Sequence, residues 1–180
     1  MTGEEYEFLD RLRDYTRHRG QISQLLVPEF EAKNEEKYVQ LIRETVINSA
    51  YETVVFAQSA EYVPIKETEL LIQAIRVDMP IILGSRFAKG SIIQNQSHKT
   101  YRRLWFENQI KRWPQWLSLR DIRPPLIAAK KEIWLVLTEQ ATTVDSLVGR
   151  SFFAQCFRQK IPLKEIGIMW EAPKDSSCSK

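Results

Sequence analysis

The chain has 180 residues, 43% of them hydrophobic and 27% charged, with a formal net charge of +3; this length and balance suit one domain with a real core and exclude a disordered or fibrous polymer. No uninterrupted apolar run approaches the roughly 18 residues of a membrane span, and the charged opening MTGEEYEFLDRLRD is unlike a secretory leader, so no membrane partner and a cytoplasmic location are expected. Cys156 and Cys178 stand apart from each other and from His18 and His98, which argues against a zinc or other metal motif and a disulfide framework, and no cofactor is expected.

In chain order, Phe8, Leu9, Leu12 and Tyr15 recur at helical spacing between Glu4 and Thr16, and Gly20 closes that helix. Residues 21–30 form a connector interrupted by Pro28. Asn34 followed by Glu35 and Glu36 is a good helix start, with Tyr38, Leu41, Ile42 and Val46 on one face. The β-forming run from Glu52 to Gln58 predicts a strand, and Pro64 marks the loop after it. A helix over Lys66–Val77 turns Leu70, Leu71, Ala74 and Ile75 inward, and Pro80 opens the strand PIILG.

After the loop SRFAKGSIIQNQSHK a helix is predicted with Tyr101, Trp105, Phe106, Ile110 and Trp113 facing inward, stopped by Pro114. A short strand is expected at Leu119–Ile122, a break at Pro124 and Pro125, and a strong strand over Glu132–Glu139. Thr143 then caps one helix to about Lys160 that buries Val144, Leu147, Val148, Phe152, Cys156 and Phe157; Cys156 reads as a small core residue. The expected order α-α-β-α-β-α-β-β-α is that of an α/β protein, a layered sheet with helices on its faces. Its organisation is an N-terminal helical segment (1–30), an α/β domain (31–172) and a disordered tail (173–180).

Charge is unevenly spread along this order. Through residue 85 nine basic side chains oppose fifteen acidic ones, a net of −6; between Arg86 and Arg123 nine oppose only Glu107 and Asp121, a net of +7; from residue 124 onward eight oppose six, a net of +2. The basic stretch is interleaved with aromatic rings, and cations beside rings grip phosphates and unstacked bases. Its candidate phosphate- or nucleic-acid-binding residues are Arg86, Lys89, Lys99, Arg102, Arg103, Lys111 and Arg112, with Trp113 and Trp116 as stacking faces. The loop GSRFAKGS, which sits between a strand and a helix start, resembles an anion cradle without matching a nucleotide-binding fingerprint.

Three readings follow. The first is a non-enzymatic binding or regulatory protein whose basic-aromatic surface contacts nucleic acid or another polyanion. The second is an interaction module in which the acidic half of one copy, or an acidic protein partner, meets the basic middle of another, giving a homo-oligomer. The third is an enzyme acting on a phosphorylated small molecule at GSRFAKGS, with His98 as base. No catalytic motif is evident, so no catalytic residues are assigned.

Four segments, YVQLIRETVINSAYETVVFAQ, ETELLIQAIRVDMPIILG, PPLIAAKKEIWLVLTEQ and VDSLVGRSFFAQCFRQK, resemble in order and pattern the phospholipase D-like fold, in its non-catalytic versions used as sensor-type domains of transcription regulators. The family's enzymes need His-x-Lys-x4-Asp, and the matching stretch RPPLIAAKKEIW has neither histidine nor aspartate. The resemblance therefore implies binding with phosphodiesterase activity lost, and a DNA-binding or dimerisation role for the N-terminal segment.

Overall fold

The structure is a computed structural model that describes residues 35–57, 65–94, 97–112 and 119–171. The expectations for the helix before Thr16, the connector to Phe30, Trp113, Trp116 and the C-terminal tail lie outside the described residues. The elements are α1 (Glu35–Asn48), β1 (Thr53–Ala57), α2 (Ile65–Ala74), β2 (Ile81–Ser85), β3 (Ile92–Gln94), α3 (His98–Arg112), β4 (Leu126–Lys130), α4 (Lys131–Leu137), α5 (Val144–Val148), α6 (Arg150–Arg158), β5 (Leu163–Gly167) and β6 (Met169–Glu171).

Four strands form one sheet in the order β1-β4-β2-β5. β4 runs antiparallel to both β1 and β2, whereas β5 runs parallel to β2. β1, β2 and β5 therefore share one direction, and their carboxyl ends lie at the same margin as the entry to β4. β2 is buried along its whole length, as a central strand covered on both faces must be.

The side-chain alternation of the strands splits the core into two layers. On one face Ile81, Leu83, Ile127 and Ala129 meet Val39 and Val46 of α1, Trp134 and Leu137 of α4, Leu147 of α5 and Phe152, Phe153 and Cys156 of α6. Burial pushes the Cys156 thiol up to about 12, so it remains protonated and serves as packing volume. On the other face Ile82, Leu126 and Ala128 meet Leu71 of α2 together with Ile168 and Trp170, and Leu104 of α3 packs against this cluster. β3 and β6 pair in parallel as a separate ribbon beside that second layer. The architecture is thus α/β, a sheet flanked by helices.

Several elements differ from expectation for identifiable reasons. Glu132–Glu139 is not a strand: it belongs mostly to α4, where Trp134 and Leu137 are buried three residues apart, a helical period in a run whose residue types favour strands. The strand at this point is instead β4, the short LIAAK run, where Ala128 and Ala129 fit between two covering layers. Leu119–Ile122 forms a turn, because the N–H groups of Arg120 and Asp121 are taken by the Glu165 carboxylate at 2.7 and 2.8 Å rather than by a strand ladder.

The helix expected from Thr143 to Lys160 breaks at Gly149 into α5 and α6. Thr143 and Ser146 form a capping box on α5. Gly149 brings no side chain to cap α6, so Asp145 accepts the Arg150 and Ser151 N–H groups, each at 3.0 Å. β5 and β6 after Lys160 and the three-residue β3 were not expected from the sequence. Leu41, Leu70 and Phe157, expected to face inward, are exposed.

β4 passes into α4 with no intervening residue. The Lys131 N–H donates to the Glu52 carbonyl at 2.8 Å, and its ammonium donates to the carbonyls of Ile47 (2.9 Å) and Ser49 (2.5 Å). A cation thereby satisfies carbonyls at the carboxyl end of α1, where the helix dipole favours it.

Candidate anion-binding edge

At the carboxyl margin of the parallel strands, the chain leaves β2 through Ser85 and turns immediately at Arg86. Asp121 stands opposite, fully buried, and Arg86 is only 8% exposed. One Asp121 oxygen accepts the Arg86 backbone N–H at 3.1 Å and its Nε at 2.9 Å; the other accepts Nη2 at 3.0 Å and the Arg123 N–H at 3.1 Å. Nη2 also donates to the Arg123 carbonyl at 2.7 Å. The guanidinium lies 5.4 Å from the Trp170 ring centroid and 5.5 Å from that of Phe87. A forked, charge-assisted pair between aromatic rings is a rigid joint.

Two further side chains hold the turn from Arg120 to Arg123. Asn108, projecting inward from α3, donates through Nδ2 to the Arg120 carbonyl and accepts the Ile122 N–H at 3.0 Å. Glu165 of β5 takes the two preceding N–H groups as described above. Three different elements therefore fix one short turn, and the polar groups at its buried side are satisfied from within the protein.

The loop beyond Arg86 is equally constrained. The Ser91 hydroxyl donates toward the carbonyls of Arg86 (2.7 Å) and Ala88 (2.8 Å), and Gly90 adopts φ of +89°, a left-handed backbone that favours glycine. The loop crosses β5 at Gly167, where an added Cβ would stand 2.5 Å from the Ser91 nitrogen and 2.7 Å from the Lys89 oxygen. Phe87 reaches the first turn of α3, its ring 6.1 Å from that of Tyr101.

The sequence-derived site residues scatter over three situations. Arg86 faces inward to Asp121, which is a correction: its guanidinium is part of the scaffold, because a buried cation requires a buried partner. Lys89, Lys99 and Arg102 are exposed. Arg103 is exposed and bonded through Nε to Glu107 at 2.9 Å, one helical turn on, a contact worth little in water. Lys111 and Arg112 close α3, but their side chains, like Trp113 and Trp116, lie outside what is described.

The rings of α3 also differ from expectation. Tyr101, Trp105, Phe106 and Ile110 are exposed; among the described side chains of α3, Leu104 and Asn108 turn inward. Sequence reasoning missed Asp121, Asn108 and Glu165, which position the edge, and it left Arg120 and Arg123 without a role. The available signal was a lone aspartate between Leu119 and Ile122 within a basic stretch. Among the described residues no group of three or more His, Cys, Asp or Glu side chains could hold a metal ion.

No protein-family model matches the chain, and no curated protein matches it. Among solved structures it is similar to glucosyl-3-phosphoglycerate synthase from Mycobacterium tuberculosis in complex with phosphoglyceric acid, at 13% identity and a TM-score of 0.46, over 73% of this chain and 45% of that one. The chain thus spans less than half the length of that structure. The phospholipase D-like resemblance is not upheld: no family model matches the chain, and the segment taken for a closing strand pair is β4 followed by α4.

Proposed function

We propose that this edge receives the phosphate of a small phosphorylated molecule and that the chain acts on such a molecule. The observation that carries the reading is that both carboxylates at the edge are engaged by the protein itself. Asp121 accepts from Arg86 and from the Arg123 N–H, and Glu165 from the N–H groups of Arg120 and Asp121. Lys89, Arg120 and Arg123 remain exposed, on a loop and a turn held rigid from beneath. Cations carried on a stiff frame, beside carboxylates already engaged by the protein, attract an anion at small entropic cost. The position beyond the carboxyl ends of parallel strands is also where α/β sheets usually take ligands.

The nucleic-acid reading has less support, since Arg86 points inward and the exposed cations divide between this edge and α3. Calorimetry with inorganic phosphate, pyrophosphate and phosphoglyceric acid tests the proposal. The expected result is salt-sensitive binding of at least one probe, weakened about tenfold or more in an Arg120→Ala/Arg123→Ala variant, which corresponds to about 1.4 kcal/mol per factor of ten. Failure of the parent to bind any probe, or equal binding by the variant, overturns it.

A further inference from the structure

We propose that the outer face of α3 is a docking surface for an anionic membrane. Among its described side chains the helix turns Leu104 and Asn108 into the protein, and it leaves Phe106 60%, Ile110 55% and Trp105 46% exposed. Phe106 and Ile110 are one helical turn apart and form a continuous apolar ridge on the side opposite the core. Lys99, Arg102 and Arg103 share that outward side by their spacing, and all three are exposed. Along its full length α3 carries five lysines and arginines against the single Glu107, a net of +4.

The charge is complementary to anionic lipid headgroups, and the ridge is complementary to the boundary beneath them. Helices lying in a membrane interface keep Lys and Arg at its surface while aromatic and aliphatic side chains enter the headgroup region, usually from separate faces; on α3 the two kinds share one side. Interleaving of the cations with the ridge suits this arrangement, because long stems lie along apolar surface and carry their charges outward. A nucleic acid would use the cations and stack on Trp105 or Phe106, but Ile110 offers no stacking face and would gain nothing there. This mode needs no spanning segment, in keeping with the finding that no helix among the described residues is long and apolar enough to cross a membrane. The surface is separate from the phosphate edge, and neither assignment depends on the other.

Vesicle co-sedimentation of the full chain provides the test, comparing phosphatidylcholine alone with phosphatidylcholine mixed with phosphatidylglycerol. The parent is expected to sediment with the mixed vesicles and to remain largely in solution with the neutral ones. Phe106→Ser/Ile110→Ser should weaken that binding about tenfold while leaving circular dichroism and Tm unchanged, since both side chains are already exposed. Lys99→Gln/Arg102→Gln should also weaken it about tenfold or more, because each cation near an anionic surface adds to the attraction. Absence of parental binding to the mixed vesicles overturns the assignment, as does parental affinity in the Phe106→Ser/Ile110→Ser variant. Binding of a single-stranded oligonucleotide without vesicle binding would return the face to the nucleic-acid reading.

Discussion

Replacing Asp121 by alanine is expected to be among the most damaging single changes in the domain. The substitution removes the acceptor of four hydrogen bonds, three from Arg86 and one from the Arg123 N–H. It takes the carboxylate away from a guanidinium that is only 8% exposed. Breaking one side of a buried ion pair costs about 3–5 kcal/mol, a large part of the roughly 5–15 kcal/mol that holds a domain together. At about 2–4 °C per kcal/mol for a chain of this size, Tm should fall by roughly 6–20 °C. Urea unfolding with matched m-values gives the same quantity independently. The paired change Arg86→Met/Asp121→Leu should recover most of the loss, because it removes both charges together. A Tm for Asp121→Ala within about 3 °C of the parent would refute the reasoning, and so would a paired variant as unstable as the single one.

Gly167→Ala places a methyl group against the backbone of Lys89, Gly90 and Ser91; overpacking of this kind costs about 1–3 kcal/mol, so a lowered Tm and faster amide exchange in residues 88–91 are expected. Asp145→Asn tests the break between α5 and α6. Burial raises the Asp145 pKa, but the Ser151 hydroxyl, the Ser151 and Arg150 N–H groups and the Arg150 charge outweigh it and hold the carboxyl below its ordinary value. A folded-state pKa below the unfolded one stabilises above the unfolded value near 3.9 and is lost as pH falls through the folded value. Because an amide nitrogen cannot accept the Ser151 bonds, the variant should lose roughly 0.5–1.5 kcal/mol at neutral pH, and the gap from the parent should close as the solution is acidified toward pH 3; a gap independent of pH would count against it.

The elements legible in the sequence were those whose apolar positions follow a single period and end at a clear breaker. α1, β1, α2 and β2 lie close to their expected places, bounded by Asn34, Pro64 and Pro80. The stretch from Leu119 to Glu139 failed because local preference and tertiary demand diverge there. The β-branched and aromatic run in Ile133–Val136 favours a strand, yet Trp134 is needed beside Phe56, 4.9 Å away ring to ring, with its Nε1 donating to the Leu147 carbonyl at 3.1 Å. The candidate site was legible as a charge excess and not as a geometry. Counting cations in order treats Arg86 and Arg123 alike, and only the partner 35 residues away distinguishes the side chain turned inward from the one left to solvent. The outward rings of α3 were hidden by the assumption that aromatic residues at helical spacing face a core.

The direct splice between β4 and α4 constrains how this sequence can change in length. With about 100° of rotation per helical residue, a single insertion between Lys130 and Lys131 would swing the Trp134 indole a quarter-turn away from its stacking neighbour. The same slip would move the Lys131 ammonium off the carbonyls at the end of α1. The strand-to-helix seam thereby fixes the phase on which half the hydrophobic interior depends.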